Sequence, residues 1–321
     1  YRGCSHACSY CSLGDTPILM ADGRTKAIAD VRAGDAIYGT VFDGKYHRYT
    51  ITSVLDQWST VKPAYRVLLE DDTELVVSGD HRFLTDRGWK HLTGTEQGSN
   101  RRPHLTLNNR LLGMGRFAAP PNDCQDYRLG YLCGMIRGDG LLRSATYLRS
   151  NGRPWQSNRF RLALVDLEAL QRSRSYLEEM NVLTQEFIFQ RAVGARKQVS
   201  AIGTSTRLGV DAIRRFIAWP RVTSTEWCKG FLAGIFDAEG SCHKNGALRI
   251  SNTDCAIIDQ TASCLRRFGF SFVLETQTIN RAKPITNVRL TGGLREHLRF
   301  FHTVDPAITR KRTIEGSAIK N

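Results

Sequence analysis

Two carboxylates recur at matching places 100 residues apart. Leu132-Cys133-Gly134-Met135-Ile136-Arg137-Gly138-Asp139-Gly140 returns as Leu232-Ala233-Gly234-Ile235-Phe236-Asp237-Ala238-Glu239-Gly240. Each copy ends in an acid followed by glycine. On a helix, that acid stands where the carboxyl end already carries partial negative charge. Two such acids brought together repel unless a divalent cation neutralises them. The pattern therefore points to metal binding. The elements that must position the acids are two helices. Gly130, Gly134 and Gly138, then Gly230, Gly234 and Ala238, recur every fourth residue and give each helix one smooth stripe. Stripes of that kind let two helix backbones approach closely. Each glycine costs about 1 kcal/mol of helix stability relative to alanine, so the repetition needs a packing reason. Gly140 and Gly240 are expected to close the helices in the left-handed conformation.

A second chemistry centres on Cys11. A thiol with a usual pKa of about 8.5 is a good nucleophile, and Cys11 could attack the carbonyl of Tyr10. His81 follows a strand-like run in Ser78-Gly79-Asp80-His81. A histidine can give or take a proton near neutral pH. Ser78 and nearby backbone N–H groups could orient the carbonyl and hold developing charge, and Asp80 could orient His81. Read backwards, Cys11 closes Cys4-Ser5-His6-Ala7-Cys8-Ser9-Tyr10-Cys11. Three thiolates at this spacing could hold three irons of a [4Fe–4S] cluster; a zinc site or unpaired thiols are the other readings.

The paired glycine-rich segments resemble the LAGLIDADG homing endonuclease family over about residues 126–312. The segments Cys11–Gly23, Asp30–Gly39 and Val76–Trp89 resemble the amino-terminal splicing half of an intein, a Hint module. Inteins usually carry Thr-x-x-His in the last of these, and this chain has Ser78-x-x-His81. Tyr1–Cys11 resembles the cluster loop of radical SAM enzymes. These resemblances imply a Hint-like, horseshoe-shaped all-β splicing domain plus an α+β LAGLIDADG domain with a pseudo-twofold internal repeat. They imply host (N-extein) sequence at 1–10, splicing domain at 11–115, and endonuclease at 116–310 with repeats about 126–220 and 226–310. Residues 311–321 would begin the return to the splicing domain. In the implied chemistry Cys11 carries out the N-to-S acyl shift, with Ser78 and His81 assisting. Asp139 and Glu239 hold Mg²⁺ for double-strand DNA cleavage at an intein-free allele. Cys4 and Cys8 serve a [4Fe–4S] cluster and S-adenosylmethionine only in the spliced host. The partners are duplex DNA and the host exteins in cis, and the internal repeat implies a monomeric nuclease. A DNA-binding module with degenerate nuclease activity is the alternative.

Charge distribution agrees with a polyanionic partner. Residues 1–100 hold 11 Lys and Arg against 13 Asp and Glu, so the whole of the +14 net charge comes from the residues beyond them. Basic residues alternate with apolar ones in Arg159–Leu164, Leu248–Ile250 and Asn287–Leu290. Strands of this kind are expected to form a saddle that presents Arg159, Arg161, Arg249 and Arg289 to DNA, and Lys197 and Lys283, on basic stretches, could assist charge stabilisation in cleavage. Helices are expected at Leu167–Met180, Gly209–Ile217, Ala256–Phe268 and Leu294–Phe301, and short strands with frequent Gly and Asp before residue 115. A mean hydropathy of −0.33 and no long apolar run argue against a membrane span. Nine cysteines without a framework spacing suit a reducing cytosol, hence a cytoplasmic protein. The chain opens on Tyr1 rather than Met and is expected to be an internal fragment. No strand pair carrying a histidine precedes Lys320-Asn321. The chain is therefore expected to stop before the carboxyl-terminal splicing segment; the alternative is that Asn321 is the terminal asparagine without its penultimate histidine.

Overall fold

The computed structural model describes residues 11–94, 102–113, 117–148, 150–243, 247–277 and 283–319. Cys4, Cys8, Tyr10 and Asn321 lie outside the described residues. The chain divides into two units: residues 1–118 with 313–321, and residues 119–312.

The first unit is built from hairpins. Its strands are β1 (Pro17–Leu19), β2 (Thr25–Ala27), β3 (Ala36–Phe42), β4 (His47–Ser53), β5 (Ala64–Leu68), β6 (Glu74–Ser78), β7 (Arg82–Thr85) and β8 (Gly88–His91). Each odd-numbered strand pairs antiparallel with the next. Among the described residues this unit has no α-helix. The β3–β4 hairpin shows how sequence sets a turn. The Asp43 carboxylate accepts the N–H groups of Lys45 and Tyr46, and Gly44 takes φ of 92°, which a side chain would resist. A small core gathers Leu19, Val31, Tyr49, Val77 and Leu84. The end of the chain joins it. Tyr49 donates its N–H to the Ser317 carbonyl at 3.0 Å and accepts from Gly316 at 2.8 Å, while Ile319 donates to His47 at 2.8 Å. Residues 316–319 thus run along the edge of β4, with Ile314 only 2% exposed.

The second unit repeats one pattern twice. It runs α1 (Gln125–Asp139), β9 (Gly140–Leu148), β10 (Pro154–Leu164), α2 (Leu167–Glu179), β11 (Gln185–Gln190), β12 (Val199–Thr204) and α3 (Arg207–Phe216). The pattern returns as α4 (Thr225–Glu239), β13 (Gly240–His243), β14 (Ala247–Asn252), α5 (Cys255–Arg267), β15 (Phe272–Gln277), β16 (Ile285–Leu290) and α6 (Gly293–Val304). The sheets have the orders β11-β12-β10-β9 and β15-β16-β14-β13, the same topology. The unit is α+β. The four helices expected downstream of the glycine-rich pair all form, with ends moved by three residues or fewer. Along β10, Phe160, Leu162 and Leu164 are buried and alternate with Arg159, Arg161 and Ala163, the period-two pattern of a strand with one covered face.

The helices α1 and α4 cross backbone on backbone. A Cβ added at Gly130 would lie 2.1 Å from the Trp227 carbonyl oxygen, and one at Gly230 would lie 2.0 Å from that of Tyr127. Gly134 and Gly234 face Phe231 and Tyr131 in the same way. This is the packing reason that the stripe demanded. The cap reading is corrected: Gly140 and Gly240 are extended, with φ of −82° and −83°. Each strand starts directly where its helix stops, so no left-handed reversal is needed. Glycine serves because a Cβ there would strike the carbonyl of Ile136 or the ring and carbonyl of Phe236.

Candidate functional site

The last turns of α1 and α4 bring the two acids together. A Cβ on Gly138 would sit 2.5 Å from the Ala238 Cβ and 3.3 Å from the Glu239 Cγ. Asp139 and Glu239 are the next residues at this contact. Asp139 keeps an open side to solvent and Glu239 is half-buried, with its Oε1 accepting from the Asn252 side-chain amide at 3.2 Å. Protein packed behind Asp139 raises its carboxyl pKa. Burial raises that of Glu239 too, and the neighbouring Asp139 adds to it. The rise that Asp139 adds at Glu239 is the electrostatic sign of two acids set close together.

One cation lies beside both. Lys311 donates its Nζ to the Asp237 carbonyl at 2.6 Å and the Phe236 carbonyl at 3.2 Å, so it caps the carboxyl end of α4. Its charge opposes the rise at each acid. Burial lowers the pKa of Lys311 itself, and Asp237 and Asp139 work the other way. The sequence points instead to Lys197 and Lys283, which are both exposed; among the described residues neither is hydrogen-bonded or ion-paired to the acid pair. The signal for Lys311 was its place in Arg310-Lys311-Arg312, which reads as a solvated charge run until the chain is folded.

The departure between the two copies, Arg137 against Asp237, turns out to be structural. Asp237 is 2% exposed and points away from the acid pair. Its carboxylate accepts from the Tyr131 hydroxyl at 2.8 Å and from the N–H groups of Ala307 at 2.6 Å and Ile308 at 3.1 Å. Arg137 instead donates to the Ile217 carbonyl at 2.8 Å and lies 3.8 Å over the Trp219 ring. Each copy pins the segment that follows its own repeat, by opposite chemistry.

Among the expected DNA-contacting arginines, cross-strand register is informative. Arg159 stands opposite Arg143, and Arg249 opposite Arg289. Like charges facing each other weaken a sheet. Glu275 answers Arg289 at 2.7 Å, and Arg161 lies 4.1 Å over the Phe189 ring. Residues 159, 161, 249 and 289 share the sheet faces opposite their buried neighbours Phe160, Leu162, Leu248, Ile250, Val288 and Leu290.

The fit of a divalent ion follows from the donor set. Two carboxylates meet at the site, and among the described residues no group of three or more His, Cys, Asp or Glu side chains is arranged to enclose a metal. That set suits an ion such as Mg²⁺, which keeps waters and takes one or two carboxylates plus phosphate oxygens.

In the first unit, Cys11, Ser78 and His81 do come together. Ser78 donates its N–H to the Cys11 carbonyl at 2.9 Å, and residues 12–13 run against Val76 and Val77. A turn closed by His81 N–H to the Ser78 carbonyl carries the imidazole back to the Cys11 backbone. Burial holds the His81 pKa down to about 4, against the pull of the Cys11 backbone and the Asp80 charge. The imidazole is therefore neutral at neutral pH. Asp80 is engaged elsewhere: its carboxylate accepts from the Ser78 hydroxyl at 2.5 Å and from Lys62 at 2.7 Å.

Residues 226–304 match the family model of the LAGLIDADG-like domain. The match covers α4 through α6, the second repeat. Among curated proteins, 104 residues are 29% identical to the replicative DNA helicase DnaB of Rhodothermus marinus. That stretch is 32% of this chain and 11% of the relative, so the chain spans about a tenth of the relative's length. Among solved structures, the homing endonuclease I-DmoI in complex with DNA and Ca is 19% identical at a TM-score of 0.45, over 56% of this chain and 90% of that one. The amino-terminal LAGLIDADG domain of DUF199/WhiA is 14% identical at a TM-score of 0.39, over 55% of this chain and 80% of that one. No helix among the described residues is long and apolar enough to cross a membrane.

Proposed function

We propose that residues 119–312 are a metal-dependent, site-specific double-strand DNA endonuclease. The observation that carries this reading is the backbone contact of α1 and α4, which sets Asp139 beside Glu239 with Lys311 at the same helix end. When bound, Mg²⁺ would supply water activation and charge neutralisation at a scissile phosphate. Asp139 and Glu239 would hold it, Asn252 would orient the Glu239 carboxylate, and Lys311 would balance the remaining negative charge. The facing arginines, Arg159 with Arg143 and Arg249 with Arg289, support a polyanion on the open sheet faces. A phosphate backbone converts that repulsion into attraction. The decisive experiment is cleavage of a duplex spanning the uninterrupted insertion site with Mg²⁺. The expected result is cutting by the native chain, and a loss of at least about 100-fold in Asp139→Asn and Glu239→Gln with DNA binding retained. A folded, DNA-bound native chain that does not cut supports the degenerate DNA-binding module instead.

The first unit is proposed as the amino-terminal splicing half of an intein in which this nuclease is nested. The meeting of Ser78 and His81 at Cys11 favours that reading. In the acyl shift the Cys11 sulfur bonds to the Tyr10 carbonyl carbon, the Tyr10–Cys11 amide breaks, and the thiol proton ends on the freed nitrogen. His81, neutral at rest, is suited to take up and return that proton. Added thiol is expected to release residues 1–10, and release from a Cys11→Ala chain would overturn the assignment. For those ten residues the proposal rests on sequence alone: a radical SAM host whose Cys4 and Cys8 would bind a [4Fe–4S] cluster after splicing.

A further inference from the structure

The β5–β6 hairpin ends at a register pair, Ala64 opposite Ser78. Carried on by two residues, that antiparallel register sets Lys62 opposite Asp80, on the side of the hairpin that Ser78 shares. The two side chains do meet: the Lys62 Nζ donates to Asp80 Oδ2 at 2.7 Å. Local sequence helps to hold the lysine there. Pro63 follows it and biases the Lys62 backbone towards the extended form. Its other neighbour, Val61, is fully exposed, whereas Lys62 is half-buried. The second Asp80 oxygen, Oδ1, accepts the Ser78 hydroxyl at 2.5 Å. A hydroxyl has a single proton to give. With that proton committed to Asp80, the Ser78 Oγ offers only lone pairs to the Cys11 site, and acts there as an acceptor rather than as a donor to developing negative charge.

A partly exposed Lys–Asp pair usually does little. This one differs in what its acid holds. Ser78 is buried, and it donates its own N–H to the Cys11 carbonyl at 2.9 Å. Backbone bonds fix the turn that follows: the Gly79 carbonyl accepts from the Thr93 N–H at 3.0 Å and from Arg102 Nη2 at 3.1 Å. They set where the turn runs and leave the direction of the Ser78 hydroxyl to Asp80. We propose that Lys62 is a positioning residue for the acyl shift at Cys11: it fixes the Asp80 carboxylate, which turns the Ser78 hydroxyl so that its oxygen accepts at the Cys11 site. This deepens the splicing-half reading and rests on it. Lys62 also keeps Asp80 in the charged form that can only accept. Burial pushes the Asp80 carboxyl up, but the hydrogen bonds from Lys62 and Ser78 outweigh it and hold it below the usual range.

The test uses the full chain with dithiothreitol at saturating concentration. The added thiolate sulfur bonds to the Tyr10 carbonyl carbon of the thioester, the bond to the Cys11 sulfur breaks, and that sulfur takes up a proton. Residues 1–10 leave as a new thioester, and mass spectrometry follows their release. Lys62→Met keeps length and loses charge. It is expected to slow release about tenfold, the worth of one partly exposed charge-assisted hydrogen bond. Lys62→Arg recovers part of the rate, which filling space alone would not do. Ser78→Ala is slowed as well, and the double variant with Lys62→Met is no slower than Ser78→Ala alone, because Lys62 acts through Ser78. Circular dichroism checks that each variant keeps the native β signal. Should Lys62→Met lose it, Asp80→Asn takes its place with the same expectations. Release at the native rate without Lys62 or Asp80 overturns the proposal, as do losses that multiply in the double variant. So do Lys62→Met and Lys62→Arg chains slowed alike. A native chain that releases nothing overturns the splicing-half reading and the role of Lys62 together; one that releases residues 1–10 through Cys11 but ignores Lys62→Met overturns that role alone.

Discussion

Asp237→Ala is expected to unfold the second unit far more readily than Arg137→Ala, although the two residues occupy the same place in the two repeats. The Asp237 carboxylate is buried and accepts three hydrogen bonds, from Tyr131, Ala307 and Ile308. Truncation leaves one hydroxyl and two backbone N–H groups buried without partners, at roughly 1–3 kcal/mol each. The three donors belong to one network and will relax together, so the total is less than additive; about 4 kcal/mol is the working figure. For a unit of about 190 residues that lowers Tm by about 10 °C. Arg137 is half-exposed, and the Ile217 carbonyl it leaves can turn to water. Losing that bond and the contact with Trp219 costs about 1–2 kcal/mol. Urea or thermal unfolding, followed by circular dichroism at the helical signal, measures both. A cost under 1 kcal/mol for Asp237→Ala, or equal costs at the two positions, would refute the view that Asp237 pins residues 305–308.

Gly234→Ala places a methyl group 2.1 Å from the Tyr131 carbonyl oxygen, which is backbone and cannot turn aside. The helices must separate, and a loss of about 3 kcal/mol is expected despite the better helix propensity of alanine; denaturant titration reads it. Lys311→Met removes the cation beside Asp139 and Glu239 while keeping length and packing. Cleavage in Mg²⁺ is expected to fall at least about tenfold with DNA affinity nearly unchanged, and Lys311→Arg to recover part of the rate; paired binding and single-turnover assays check this, and parallel losses in both would count against the assignment.

The repeat, the glycine stripe and the acid pair were legible because each is a local pattern with one physical meaning. Glycine at every fourth position of two segments has no use except close approach, and the structure puts backbone where the missing Cβ atoms would be. Four downstream helices were equally readable from apolar periodicity. Other features depend on what folding brings near. Lys311 is 172 residues from Asp139 in sequence, and nothing in Arg310-Lys311-Arg312 reports that a helix end lies against it. Strand β11 is exposed throughout, β15 is mostly exposed and β12 buries Ser200, Ala201 and Ile202 in a row, so in none of them does alternation mark a strand. The left-handed glycine caps failed for a related reason: the rule describes a chain that reverses after a helix, and here it runs straight into a strand.

The difference between Arg137 and Asp237 then has a reason that neither copy shows alone. After α3 the chain crosses to the second repeat, and Arg137 needs only to hold one carbonyl, that of Ile217. After α6 the chain returns over the first repeat. Tyr127 donates to the Val304 carbonyl, Arg172 to Asp305 and Arg310 to Asp166. That tail presents N–H groups at Ala307 and Ile308, which a guanidinium cannot accept and a carboxylate can. Asp237 is thus set by the polarity of the segment that it meets. Its bonds bring the tail to the carboxyl end of α4, where Lys311 completes the surroundings of the acid pair. The twofold scaffold supplies the two acids, and the asymmetric tail supplies the cation, so the site is finished only when the chain has closed on residues 305–312.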